Sequence, residues 1–190
     1  MKLRKKELIV SGITTIAQQI TFELDEKSIE KNASLKRGAL YDEFESKKEF
    51  INECFLYIAN EVLKSNEACL KLKAHGKSVK EKGRTIWFNT IAWWLSNSEM
   101  FAFYLKYLTS RYYFENDQIK SEMRSLYFSF SESGIQAGLI KPLPKEFIHE
   151  LIIAQMVNTI GYIHKNPKLS ADSEFLDLSF EALWDSIRTH

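Results

Sequence analysis

Apolar residues recur at intervals of three and four along almost the whole chain, the period of amphipathic helices rather than of strands. Leu8, Ile9, Ile13, Ile16, Ala17 and Ile20 mark a first helix. Asp25 stands where an N-cap belongs, ahead of a short second helix that turns Ile29 and Ala33 inward. The stretch LKRGALYD, Leu35 to Asp42, reads as a third helix of two turns with Gly38 in its middle. Ser46 and Glu49 have the spacing of a capping box. They open a long helix with Phe50, Cys54, Tyr57, Ile58, Val62 and Leu63 along one side. Five more helical patterns follow, over 82–97, 98–114, 117–140, 144–166 and 173–189. Pro144 suits a first turn, and the pattern stops before Pro167.

Three short helices followed by a much longer one is a change of scale. It predicts an all-α fold with an N-terminal domain over 1–46 and a C-terminal helical domain over 47–190, the long helix joining them. Composition agrees: only seven Gly and three Pro in 190 residues leave little room for sheets built on tight turns.

The last two patterns are too apolar for helices with one buried face. Phe147, Leu151, Met156 and Ile160 with their neighbours cover most of one helix, and Phe180, Leu183, Trp184 and Ile187 crowd the other. A helix apolar nearly all round has to bury more than one side. These eight residues are therefore expected at a two-fold four-helix interface between two copies of the chain.

Charge adds detail. The formal net charge is +1, so the chain as a whole does not signal nucleic acid or membrane. The distribution is uneven: Lys71 to Arg84 holds six Lys/Arg against one acid, Glu81, and reads as a solvated loop. Cys54 and Cys69 lie about 22 Å apart on one helix, too far to bridge. A reducing compartment, the cytoplasm, is the expectation. No segment is apolar for long enough to span a membrane.

Catalytic chemistry is not apparent. His149 and Glu150 begin a zinc-protease spacing, but Ile153 stands where the second histidine belongs. HGKS, His75 to Ser78, resembles the end of a phosphate-binding loop, yet Lys71 occupies its first glycine position. No metal or cofactor is expected.

Helices two and three have the proportions of a helix-turn-helix, whose second helix reads the major groove. Gly38 would bring the backbone close to a duplex. On the first turn, Arg37 can make a bidentate guanine contact beside Lys36. Ala39 follows, and Tyr41 can offer its hydroxyl to a phosphate. Lys47 and Lys48 sit at a helix N-terminus that favours anions. On this reading Lys36, Arg37, Lys47 and Lys48 face DNA while Glu23 and Glu26 point away.

The stretch KNASLKRGALYDEFESKKEFI resembles the DNA-binding signature of TetR-family transcriptional regulators. Arg37, Gly38, Ala39, Leu40, Tyr41, Phe44, Ser46, Lys47 and Phe50 fall on it without a gap. Three positions depart. Ser34 and Lys36 stand where the family commonly has glycine and serine, and Glu30 replaces a small residue. A serine at position 36 would cap the reading helix, which lysine cannot do.

The resemblance implies a homodimeric regulator on a double-stranded operator with an inverted repeat. It also implies a C-terminal domain that holds a small-molecule effector, most simply as a repressor released by its ligand. The aromatics of the middle helices point to an apolar or aromatic effector, with Trp87, Trp94, Phe101, Tyr104 and Tyr127 as candidate contacts. The alternative is a dimeric helical binding protein whose reading head no longer engages DNA, motivated by Glu30, Asp42 and Glu43.

Overall fold

The computed structural model describes residues 2–73, 76–114 and 130–189. Among them the chain is helical: α1 Leu3–Gln18, α2 Glu26–Asn32, α3 Ala39–Glu43, α4 Lys47–Lys73, α5 Val79–Ser96, α6 Ser98–Leu108, α7 Arg111–Phe114, α8 Lys145–Lys165 and α9 Ser173–Ile187. A 3-10 turn, Pro167–Ala171, links the last two. Most of the pattern expected over 117–140 lies outside the described residues; its end, 130–136, is helical.

Local chemistry explains the boundaries. Asp25 caps α2 by accepting the Ser28 N–H at 3.1 Å. At α4 the Ser46 hydroxyl accepts the Glu49 N–H at 3.1 Å, while the Glu49 carboxylate takes the Glu45 N–H at 2.6 Å. Asp172 receives the N–H groups of Glu174 and Phe175 and so starts α9. Each cap satisfies donors that a helix start leaves open.

The chain forms two compact units, Met1–Glu61 with Asn97–Met123 and Val62–Ser96 with Arg124–His190. This division differs from a boundary at residue 46. The start of α4 and all of α6 belong with the first three helices, because α6 packs along α1. Thr14 and Gln18 donate to the Glu99 carboxylate at 2.8 and 3.1 Å. The Lys106 ammonium donates to the carbonyls of Ile16 at 2.7 Å, Ala17 at 2.9 Å and Gln19. A cation on these terminal carbonyls satisfies orphan acceptors and matches the negative end of the helix dipole. Leu8, Ile9, Ile13, Ile16, Ile29, Leu40, Phe44, Phe50 and Phe55 are buried in this unit. Gly12 makes room for the Phe50 ring: a Cβ there would lie 2.3 Å from Cζ.

In the second unit α5, α8 and α9 pack together. The indole of Trp87 donates to the Ser179 hydroxyl at 3.0 Å in the interior. Asn66 and Thr90, both fully buried, hydrogen-bond each other between the end of α4 and α5. Backbone bonds from Lys141 to Ile187 and from Thr189 to Leu139 tie down the end of α9. No helix among the described residues is long and apolar enough to cross a membrane.

Candidate functional site

The candidate helix-turn-helix of α2 and α3 is built on one turn. After α2, Ser34 adopts φ 56°, and the N–H groups of Ser34 and Leu35 bond back to the carbonyls of Lys31 and Glu30 at 3.0 and 2.8 Å. This pair of bonds is the Schellman ending, whose left-handed position normally goes to glycine. Serine fills it here at some strain.

Gly38 does not lie in the middle of a helix, contrary to the expectation from its setting in the sequence. It is the residue that precedes α3, with φ +86°, and the space where its Cβ would be is open. One physical reason for glycine acts within the chain, its backbone conformation. The left-handed backbone favours glycine, and no neighbour among the described residues crowds the place of its Cβ. Lys36 and Arg37 consequently precede α3 instead of lying on its first turn. Both are exposed, and Arg37 makes no ion pair or hydrogen bond among the described residues. Ala39 is buried and anchors the start of the helix.

With no side-chain cap at Gly38, the donors opening α3 need another acceptor. Glu30, 5% exposed, supplies it: its carboxylate takes the Leu40 N–H at 3.0 Å. Glu30 thereby supplies a capping acceptor that the N-cap residue Gly38 lacks. A second cross-link, from the Ser11 hydroxyl to the Ile29 carbonyl at 2.7 Å, fixes α2 on α1.

The basic and aromatic candidates carry acidic partners. Glu26, expected to point away, accepts the Tyr41 hydroxyl at 2.7 Å and pairs with Lys47 at 2.8 Å through the same oxygen. The Lys47 hydrogen bond, followed by that of Tyr41, holds the Glu26 carboxyl below its ordinary range; the same bonds raise Lys47 and Tyr41. Asp42 accepts Arg4 at 2.9 Å and lies 3.5 Å from Lys36, and Arg4 first, then Lys36, lowers its pKa. Arg4 also reaches Glu43 at 3.8 Å. Lys48 is exposed on the first turn of α4. Sequence reasoning missed Glu26 as a partner because the contact spans fifteen residues to Tyr41, across two helix boundaries.

Four of the five aromatics expected as effector contacts are divided between the two units. Trp87 and Trp94 are buried in the second unit, whereas Phe101 and Tyr104 are buried in the first, where Tyr104 stacks on Phe55 at 5.9 Å. Tyr127 lies outside the described residues. Trp87 lines an apolar crevice with Ile152, Met156, Phe180 and Trp184, but it holds only about 20 Å³ of room, enough for about one water.

Of the eight residues expected at a subunit interface, Met156, Ile160, Phe180, Leu183, Trp184 and Ile187 are buried within the chain itself. The amphipathic period explains this: these positions form the faces that α8 and α9 turn to their own unit. The opposite faces are apolar as well. Phe147 is 52% exposed and Leu151 half-buried, and the line continues through exposed Ala154 to Tyr162, broken by Asn158. On α9 it includes half-buried Phe175 and Leu178, 63% exposed. The Tyr162 and Phe175 rings lie 5.9 Å apart.

The fold and the C-terminal half define a known class of protein. The chain belongs to the TetR family of transcription regulators: residues 78–188 match the tetracyclin repressor-like, C-terminal domain family. A TetR-family transcription regulator from Shewanella sp. PV-4 has the same fold over 100% of both chains, with a TM-score of 0.90 at 18% identity. A TetR-family regulator from Vibrio parahaemolyticus is 23% identical with a TM-score of 0.78, over 98% of this chain and 100% of its own. The regulator FadR from Bacillus subtilis, determined in complex with stearoyl-CoA, aligns over 95% of each chain with a TM-score of 0.73 and 16% identity. The chain has no match among curated protein sequences.

Proposed function

We propose that this protein is a sequence-specific DNA-binding regulator acting in the cytoplasm as a homodimer on an inverted-repeat operator, a repressor released by a small effector. The observation that carries the reading is the left-handed Gly38 with open space beside it, flanked by exposed Lys36 and Arg37 at the start of α3. An approach of backbone to duplex uses such an opening, and the adjacent Arg supplies a base contact. Dimerisation would use the exposed stripe from Phe147 to Tyr162 with Phe175 and Leu178, since an apolar surface of this kind is a usual mark of association.

The second reading, a dimer that has lost DNA binding, draws on the acids already paired with Lys36, Lys47 and Tyr41. Salt titration of DNA binding separates the two. A regulator loses affinity steeply as salt rises and relaxes its base preference in Arg37→Ala. A protein blind to DNA shows neither response. Release by an effector requires that the ligand prefer the conformation that fits the operator poorly.

A further inference from the structure

We propose that the effector is an amphipathic anion, an acyl chain with an anionic head, held in a groove on the second unit. The binding claim stands on the groove itself; its consequence for DNA rests on the regulator reading above.

The basic segment from Lys71 to Arg84 takes no part in the reading head. The structure folds part of it against a groove of about 430 Å³, twenty times the room beside Trp87 and within the range of small-molecule sites. The lining is graded. Lys73, Lys77 and Arg84 supply cations, while Phe88, Ile91 and Leu95 supply apolar surface. Arg84, Phe88, Ala92 and Leu95 follow one another along a single face of α5. That face passes from cation to aromatic ring to aliphatic carbon over about 16 Å.

Its charged end is partly pre-set. Arg84 Nε donates to Asp177 at 2.6 Å, and the guanidinium lies 4.8 Å from the centre of the Phe88 ring. The carboxylate fixes Arg84 and offsets its charge. The positive surplus therefore comes from Lys73 and Lys77, which make no ion pair among the described residues. The wall behind is rigid: Asn89 donates to Ser65 and Asn66 at 3.0 and 2.8 Å.

A neutral apolar molecule would leave Lys73 without a counter-charge and Lys77 with only the neighbouring Glu81 carboxylate. A bare inorganic anion would leave the apolar length empty. A molecule with both parts satisfies the whole groove. The shared chemistry fits a free carboxylic acid and an acyl thioester of a phosphorylated carrier alike.

The test is calorimetric titration of the full chain with octyl, decyl and dodecyl phosphate below their micelle-forming concentrations, with dodecanol as the neutral control. Saturable binding is expected, strengthening about fourfold per added methylene, with dodecanol at least about tenfold weaker than dodecyl phosphate. Lys73→Gln with Lys77→Gln is expected to weaken dodecyl phosphate about tenfold and leave dodecanol unchanged. Leu95→Asn should weaken both. Dodecanoate and dodecanoyl-CoA then identify the source of the head: comparable binding points to the free acid, and preference for the thioester points to the phosphorylated carrier. No saturable binding, equal affinity for alcohol and phosphate, or a lysine pair without effect overturns the proposal. Binding that leaves DNA affinity unchanged overturns the effector role and keeps the groove as a binding site. Sequence-specific DNA binding without ligand binding overturns the groove and leaves the regulator reading standing.

Discussion

The buried carboxylate of Glu30 accepts the backbone N–H of Leu40 at 3.0 Å, so α2 caps the start of the reading helix from ten residues upstream. Gly38, the N-cap residue, has no side chain to perform that task, and the cap is made across the turn instead. Glu30→Ala should leave a buried donor unsatisfied and cost roughly 1–3 kcal/mol. Glu30→Gln keeps an acceptor and should recover most of the loss. Denaturant unfolding of the three proteins checks this; equal stability of Glu30→Ala and the parent would contradict the capping role.

Ser34 gives a prediction of the opposite sign. At φ 56° a Cβ is strained, and glycine is not. Ser34→Gly should stabilise the protein by up to about 1 kcal/mol, the relief of strain exceeding the added freedom of the unfolded chain. A fall in the unfolding midpoint would contradict it.

On the proposed DNA-binding reading, Glu26 competes with phosphate for Lys47 and Tyr41, both of which it already holds. Glu26→Gln weakens that ion pair and should raise affinity for non-specific duplex DNA, steepening the dependence of log K on log salt by up to about one unit. Acid should act in the same direction. The folded pKa of Glu26 lies below its ordinary 4.5, so the pair contributes stability above that pH and loses it as pH falls through the folded value. The acid limb of a stability–pH profile should therefore flatten in Glu26→Gln. An unchanged salt slope and an unchanged acid limb would show that the pair does not shield Lys47.

The exposed apolar stripe predicts the oligomeric state. Phe147→Glu with Leu178→Glu changes side chains that are mostly solvent-facing in the single chain, so the fold should survive while the dimer dissociates. Sedimentation should report a dimer for the parent and a folded monomer for the variant. A dimer in both would place the interface elsewhere.

Much of this architecture was legible because its determinants are local. Asp25, Ser46 and Glu49 cap the helices that their spacing announces, and the period of Leu8, Ile9, Ile13 and Ile16 matches the buried face of α1. The reading head was recognisable from Arg37 to Phe50. What period alone cannot supply is a partner. Met156 and Trp184 are apolar whether they face their own unit or another subunit, and only the packing places them inside. Glu26, Glu30 and Arg4 act across turns, so their roles depend on how α2, α3 and α1 meet. The basic run near Lys77 looked like a solvated loop because the groove beside it is completed by residues such as Ser170 and Leu176, far along the chain.

Selection of bound sequences from random double-stranded DNA, at about 0.1 M salt where the Debye length is roughly 10 Å, tests the central claim most directly. A dimeric regulator predicts enrichment of an inverted repeat, and loss of its most constrained base position in Arg37→Ala. No enrichment from protein that is folded, dimeric and refolded free of ligand would contradict sequence-specific DNA recognition.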